Sequence, residues 1–359
     1  MAKAYPTRKL GPNGPVVSAI GLGAGSNFCV PSLSGTNGIS GVSGTLYSKT
    51  DKSEAFAMLS HAADCGVTFW DTSDYYASER IIGEWLARTG RRSEIFLATK
   101  FGGADLRQEP NTGIPCSEPS YVKLSVQRSL KMLQTEYIDL YYQHRVDPAV
   151  PIEVVLEALR PFVERGQIRW LGLSECSAAT LRRAKSVPGL GEKIIAVQME
   201  YSPFGLGIET DGVLEAANET GMAVVAYSPL GRGLITGRYR SPADFEEGDM
   251  RRMLPRFSSE NFPKNLELLA HFEALAAKYA ATPSQIALAW ILAQHPNFVP
   301  IPGTRSVARL EENAGSAEIR LTSEDVENIR KRVEEADVHG ARYEVIPQGD
   351  CIGLDEWKA

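Results

Sequence analysis

The chain has 359 residues and a mass of 39.2 kDa, enough for one large α/β barrel with insertions or for two ordinary domains. Its 43% hydrophobic and 23% charged residues are the make-up of a soluble globular protein. A net charge of -6 without a basic run argues against nucleic acid, and no apolar stretch approaches the ~20 residues of a membrane span.

The amino terminus, MAKAYPTRKLGPNG, has no apolar core of the signal-peptide kind, so a cytoplasmic location is expected. The five cysteines (Cys29, Cys65, Cys116, Cys176, Cys351) form no CxxC pair and imply neither a zinc site nor a disulfide framework. Cys65 falls in a helical pattern and reads as core packing.

Strand and helix patterns alternate along the chain. VVSAIGLG (16–23) opens as a strand, and SEAFAMLSHAADCG follows with Ala55, Leu59 and Ala62 on one helical face. VTFWDT is a strand and ERIIGEWLART a helix. EIFLATK leads to SYVKLSVQRSLKML, YIDLYYQH to PIEVVLEALRPFVERG, and QIRWLGLSE to SAATLRRAKS. KIIAVQMEYS leads to GVLEAANETG. MAVVAYSPLG is followed, after a long connection, by NLELLAHFEALAAKYA and an extra helix, QIALAWILAQH. FVPIPG then precedes SVARLEENAGS. The repeat predicts a (β/α)8 TIM barrel, with a further helix after Thr322 near the carboxyl end.

Start and stop signals agree with this reading. Ser117 or Ser120, Thr282 and Thr322 are candidate helix caps, with Pro283 in a first-turn position. Gly66, Gly166 and Gly221 end helix patterns just before strands, as left-handed caps do. The chain reads as a single domain, 1–359, with a barrel-mouth insertion at 24–50, a long loop at 238–262 and a tail at 337–359. Both loops are candidates to cover a ligand or to be solvated insertions.

Four polar residues stand at the ends of apolar strand runs: Asp71 and Tyr76 in TFWDTSDYYASER, Lys100 in EIFLATKFGG and His144 in YIDLYYQHRVD. A barrel gathers such strand ends at one rim, where barrel enzymes place their chemistry. Reduction of a carbonyl needs hydride on carbon and a proton on oxygen. A phenol has a pKa near 10, and a nearby ammonium lowers it. Tyr76 is therefore the candidate proton donor, Lys100 its electrostatic partner, Asp71 the anchor of the lysine, and His144 a hydrogen-bond partner of the carbonyl oxygen. The other histidines (His61, His271, His295, His339) show no ligand spacing, so no metal is expected.

The same residues carry a resemblance. The D-T-x-x-x-Y block at 71–76, Lys100, His144, GLSECS (172–177), VQMEYS (197–202), AYSPLGRG (226–233) and IPGTRSVARLEEN (301–313) together resemble an aldo-keto reductase over nearly the whole chain. The flavour is that of fungal pyridoxal reductase-like enzymes and potassium-channel β-subunits. The spacing of the family's motif falls on Tyr76 rather than Tyr75, although Ala77 stands where glycine is frequent.

What the resemblance implies is an NADP (NADPH) cofactor and a small aldehyde or ketone substrate. Residues matching Ser174 and Gln198 bind the nicotinamide amide in the family, and the one matching Tyr227 stacks on its ring. Glu175 stands here where many members have asparagine. The pyrophosphate would lie on Ser228, Leu230, Gly231 and Gly233, with charge from Arg232. Gly303, Thr304 and Arg305 precede a helix, a natural phosphate site. Arg305 and Arg309 match the region that holds the adenosine 2′-phosphate, and Glu312 and Asn313 match adenine contacts. The near-miss GLGAGS (21–26) is no GxGxxG, which disfavours a Rossmann site.

A regulatory, channel-associated subunit that senses NADPH would carry the same four residues. A barrel with lyase or isomerase chemistry would bind no nicotinamide. Phe28, Tyr47 and Trp70 are candidate pocket residues, with packing inside the barrel the alternative for Trp70. Substrate identity and oligomeric state are not legible.

Overall fold

The computed structural model describes residues 5–25, 51–108, 113–342 and 349–358. The chain enters through an antiparallel hairpin, β1 (Thr7–Lys9) and β2 (Val16–Ser18). Eight parallel strands follow in chain order around one sheet. They are β3 (Leu22–Gly23), β4 (Phe69–Asp71), β5 (Phe96–Phe101), β6 (Ile138–Gln143), β7 (Ile168–Ser174), β8 (Ile194–Glu200), β9 (Ala223–Tyr227) and β10 (Phe298–Pro300). A parallel bridge between Gly23 and Gly303 brings the first strand to the last. The expected (β/α)8 barrel is present.

The strand expected over 16–23 divides in two. Val16–Ser18 turns back onto Thr7–Lys9, and only Leu22–Gly23 joins the barrel. Gly21 makes the crossing, at a point where a Cβ would lie 2.8 Å from Ile301 and 2.9 Å from Phe69.

The helices are α1 (Lys52–Asp64), α2 (Ser78–Thr89), α3 (Pro119–Met132), α4 (Ile152–Glu164), α5 (Ala178–Lys185), α6 (Val213–Glu219), α7 (Asn261–Asn265), α8 (Glu267–Lys278), α9 (Pro283–Gln294), α10 (Val307–Gly315) and α11 (Ser323–Glu335). Helix α9 is apolar on all sides because it packs against α8, α10 and β10 at once. Thr282 caps it in a reciprocal box with Gln285, and Thr322 Oγ1 accepts from the Asp325 N–H to cap α11. Neither Ser117 nor Ser120 caps α3. That helix starts on Pro119, whose ring fixes the first turn, and the Ser117 hydroxyl instead accepts from Gln143 Nε2 at 2.8 Å. Gly66, Gly166 and Gly221 have φ of 80°, 72° and 67°, as expected of caps. No helix among the described residues is long and apolar enough to cross a membrane.

Two apolar layers follow from the strand period of two. Phe69, Ala98, Leu140, Tyr142, Ala196, Ala223, Val225 and Val299 fill the barrel interior, with Leu10 and Val17 of the hairpin region packed beneath them. Trp70, Leu97, Tyr141, Val197 and Val224 face the helices. Trp70 thus packs in the core, donating to the Val67 carbonyl at 2.8 Å with its ring centre 4.9 Å from that of Trp85. Gly172 leaves room for the Tyr142 ring, which a Cβ would meet at 2.4 Å.

Outside the barrel, Glu209 receives hydrogen bonds from Tyr201, His295 and Arg330. Burial opposes its ionisation, but these donors outweigh burial and hold the carboxyl down at about 2, against an ordinary 4.5. The folded value lies below the unfolded one. The stabilisation is therefore complete above about 4.5 and lost as pH falls through about 2. Glu209→Gln is expected to lower the urea midpoint at pH 7, with the difference from the parent closing as pH drops through that window. A gap that stays constant with pH would count against the assignment.

Candidate active site

The same alternation that buries the apolar residues sets the polar ones above them. Phe69 points in, so Asp71 does too. Ala98 is followed two residues on by Lys100, Tyr142 by His144, Gly172 by Ser174, Ala196 by Gln198, and Val225 by Tyr227. The register brings them to one level: Lys100 lies opposite Tyr142, Ser174 opposite Gln198, and Tyr227 opposite Glu200. A polar layer therefore caps the apolar interior at the carboxyl ends of the strands.

Lys100 and Asp71 form an ion pair through Nζ and Oδ1, and both are buried. Lys100 also donates to the Thr72 carbonyl at 2.8 Å, and Gln198 Nε2 donates to Asp71 Oδ2 at 2.8 Å. Burial pushes the Asp71 carboxyl up and the Lys100 ammonium down, while their mutual attraction opposes both shifts. Both Asp71 oxygens are engaged, which fixes where the ammonium sits.

Tyr76 lies on the turn between β4 and α2. Its hydroxyl is 3.4 Å from His144 Nε2, and Lys100 Nζ is 5.7 Å from the centre of its ring. Tyr76, not Tyr75, is the phenol that meets His144. Tyr75 packs edge-on to the Tyr76 ring at 6.4 Å, and its burial pushes its own phenol up. His144 Nδ1 is 3.0 Å from Ser73 Oγ. Burial, aided by Arg145 and Lys100, pushes the imidazolium well below its ordinary range, so the ring is neutral. Asp71, Tyr76, Lys100 and His144 thus come together as one cluster of a phenol, an ammonium, a carboxylate and an imidazole.

The cofactor candidates divide. Ser174 and Gln198 are buried neighbours on β7 and β8. Tyr227 ends β9, and its hydroxyl donates to Glu175 Oε1 at 2.9 Å. In the loop after it, Ser228, Gly231, Arg232 and Gly233 have φ of 49°, 57°, 56° and 101°. The N–H groups of Gly231 and Gly233 close turns onto the Ser228 and Leu230 carbonyls at 2.9 and 3.0 Å, so they serve the loop itself. The Arg232 guanidinium is buried 3.3 Å from Glu200.

Thr304 Oγ1 accepts from the Ser306 N–H at 3.1 Å, and Ser306 precedes α10 without a side-chain cap. Arg305 reaches Glu246 at 3.7 Å, and Arg309 is exposed. Glu312 accepts from Thr282 Oγ1 at 2.6 Å, while Asn313 is buried in α10.

Three residues of this mouth escaped sequence reasoning: Arg342, Glu200 and Arg256. Glu175, in a left-handed backbone at φ 51°, pairs with Arg342 of the tail at 2.6 Å. Glu200 is buried and faces Arg232, Arg256 and Arg342 at 3.3, 3.7 and 3.6 Å. A buried acid demands a cation, but no spacing says which arginine supplies it. Segment 238–262 is folded around Tyr239, Phe245, Phe257 and Phe262, with Arg251 buried over the first two rings. It delivers Arg256 to the mouth. The tail also lies against the barrel top, where Arg183 donates to the carbonyls of Cys351 and Ile352. Phe28 and Tyr47 lie outside the described residues, as do 26–50 of the first insertion.

Residues 34–334 match the aldo/keto reductase family. Aldo-keto reductase str7 of Strobilurus tenacellus is 47% identical over 340 residues, covering 94% of each chain. Aldo-keto reductase yakc [NADP(+)] of Schizosaccharomyces pombe is 46% identical over 347 residues, 95% of each chain. Among solved structures, the thermostable aldo-keto reductase Tm1743, crystallised with the inhibitor epalrestat, superposes with a TM-score of 0.69. It is 27% identical, over 91% of this chain and 99% of that one. With the match running over most of its length, the chain belongs to the aldo/keto reductase family.

Proposed function

We propose that the chain reduces an aldehyde or ketone to the alcohol, with NADPH as the hydride source and Tyr76 as the proton donor. The observation that carries the reading is the Tyr76 hydroxyl at 3.4 Å from His144, above a buried Lys100–Asp71 pair. The yeast relative's name carries NADP(+), which supports the cofactor.

Bound NADPH supplies hydride to the carbonyl carbon. The rest falls to this chain. Tyr76 donates its proton to the carbonyl oxygen, and the Lys100 ammonium stabilises the phenolate left behind. Asp71, itself held by Gln198, keeps the ammonium charged and in place. His144 offers a second hydrogen bond to the same oxygen. The apolar floor of Leu140, Tyr142 and Val225 excludes water from below.

The rim suits a phosphate-bearing cofactor. Helix α10 presents an amino terminus without a side-chain cap, and Arg305 and Arg309 stand beside it. A second phosphate there would meet two guanidinium groups. Arg305→Ala with Arg309→Ala is expected to weaken NADPH roughly tenfold or more while leaving NADH little changed. Fluorescence titration with both cofactors checks this, and equal losses would sink the 2′-phosphate assignment.

The activity is tested by following NADPH absorbance with an aldehyde panel that includes pyridoxal and 4-nitrobenzaldehyde, NADH being run in parallel. Oxidation above background supports the reductase. Tight NADPH binding without turnover on any carbonyl would favour a cofactor-sensing subunit instead.

A further inference from the structure

Behind the His144 ring, on the side away from Tyr76, lies a set of groups that the mechanism above leaves unused. Ser73 Oγ is 3.0 Å from His144 Nδ1 and 3.3 Å from Asp74 Oδ1, and it accepts from the Tyr75 N–H at 3.1 Å. Asp74 is only 7% exposed, and its Oδ2 is buried with no hydrogen-bond partner. Its backbone is fixed by an N–H bond to the Lys100 carbonyl at 3.0 Å. The ionisable groups facing it are Glu79 of α2, Arg128 and Tyr121 of α3, Tyr141 of β6 and Lys100 of β5. Glu79 is itself buried and accepts from Thr99 Oγ1 at 2.7 Å.

The Ser73 hydroxyl has one hydrogen and two claimants for it. If it donates to an ionised Asp74, then His144 Nδ1–H must donate to Ser73, and a bare Nε2 faces Tyr76. If Asp74 is a carboxylic acid, its O–H donates to Ser73 and Ser73 donates to Nδ1. The single ring proton then sits on Nε2. The first arrangement leaves a carboxylate oxygen buried without a donor, beside a second buried acid. Burial, and then Glu79, push the Asp74 carboxyl well above its ordinary range against the pull of Arg128. The neutral His144 ring has one proton to place, and the partner of its far nitrogen decides where it goes.

We propose that Asp74 is a positioning residue: as a neutral acid acting through Ser73, it fixes the one proton of His144 on Nε2, facing the Tyr76 hydroxyl. The use of that proton, as a hydrogen bond to the substrate oxygen, rests on the carbonyl-reducing reading of the site. The tautomer itself does not.

The test is 15N NMR of the histidine-labelled full-length chain, with His144→Asn to identify the resonance. The expected wild-type pattern at pH 7 is a protonated Nε2 and a bare Nδ1. Asp74→Asn, whose amide still donates to Ser73, keeps that pattern. Ser73→Ala gives an exchange-averaged pair and lowers kcat roughly tenfold, with NADPH affinity unchanged. A bare Nε2 in the wild type overturns the proposal, however well the chain reduces carbonyls. A protonated Nε2 in a chain that reduces none supports the tautomer assignment and overturns the reductase reading instead.

Discussion

Tyr76→Phe is expected to cut carbonyl reduction by roughly 10²–10⁴-fold while leaving NADPH affinity unchanged. The change deletes one oxygen and its proton and keeps the ring that packs edge-on against His144 at 5.7 Å. The pocket therefore keeps its shape and loses its acid. Tyr75→Phe is the matched control, because the hydroxyl that meets His144 is that of Tyr76, and loss of the Tyr75 hydroxyl is expected to leave the rate near the parent value. Steady-state rates on one reactive aldehyde, with cofactor affinity from fluorescence, separate the two variants. Parental turnover in Tyr76→Phe would remove the phenol from the mechanism.

The second large effect is expected from Lys100→Met. It leaves the Asp71 carboxylate buried with Gln198 as its one remaining side-chain donor among the described residues. Removing one partner of a buried pair costs about 3–5 kcal/mol, because the remaining charge is uncompensated. The urea midpoint should fall accordingly, and the rate should drop by about 10²–10³-fold as the phenolate loses its counter-charge. Adding Asp71→Asn removes the stranded charge and keeps an amide for Gln198. The double variant should regain much of the stability and none of the activity. If stability and activity return together, the pair acts only through folding. If the single variant is as stable as the parent, the pair is not buried as described.

The barrel was legible because apolar runs and helix periods alternate with few interruptions, and because Gly66, Gly166 and Gly221 mark the helix ends. The cluster was legible for a related reason. In a parallel barrel, residues at strand ends converge whatever their distance in sequence, so Asp71, Lys100 and His144 needed only the strand assignment. Local detail was less readable. The run 16–23 has the composition of one strand, but the close approach of Phe69 and Ile301 at Gly21 splits it. Ser117 was a sound cap by type, yet Gln143 claimed its hydroxyl from another strand end. Arg342 left no signal at all. Its partner lies 167 residues away, and a tail arginine has no period to betray it. Asp74 left no signal either, because its burial depends on α2 and α3 closing over it.

The hairpin region packed under an interior filled with side chains has a kinetic corollary. A barrel stoppered at one end has a single doorway. Any ligand of the cluster of Asp71, Tyr76, Lys100 and His144 must therefore both arrive and depart over the strand-end rim, because the packed floor offers it no passage.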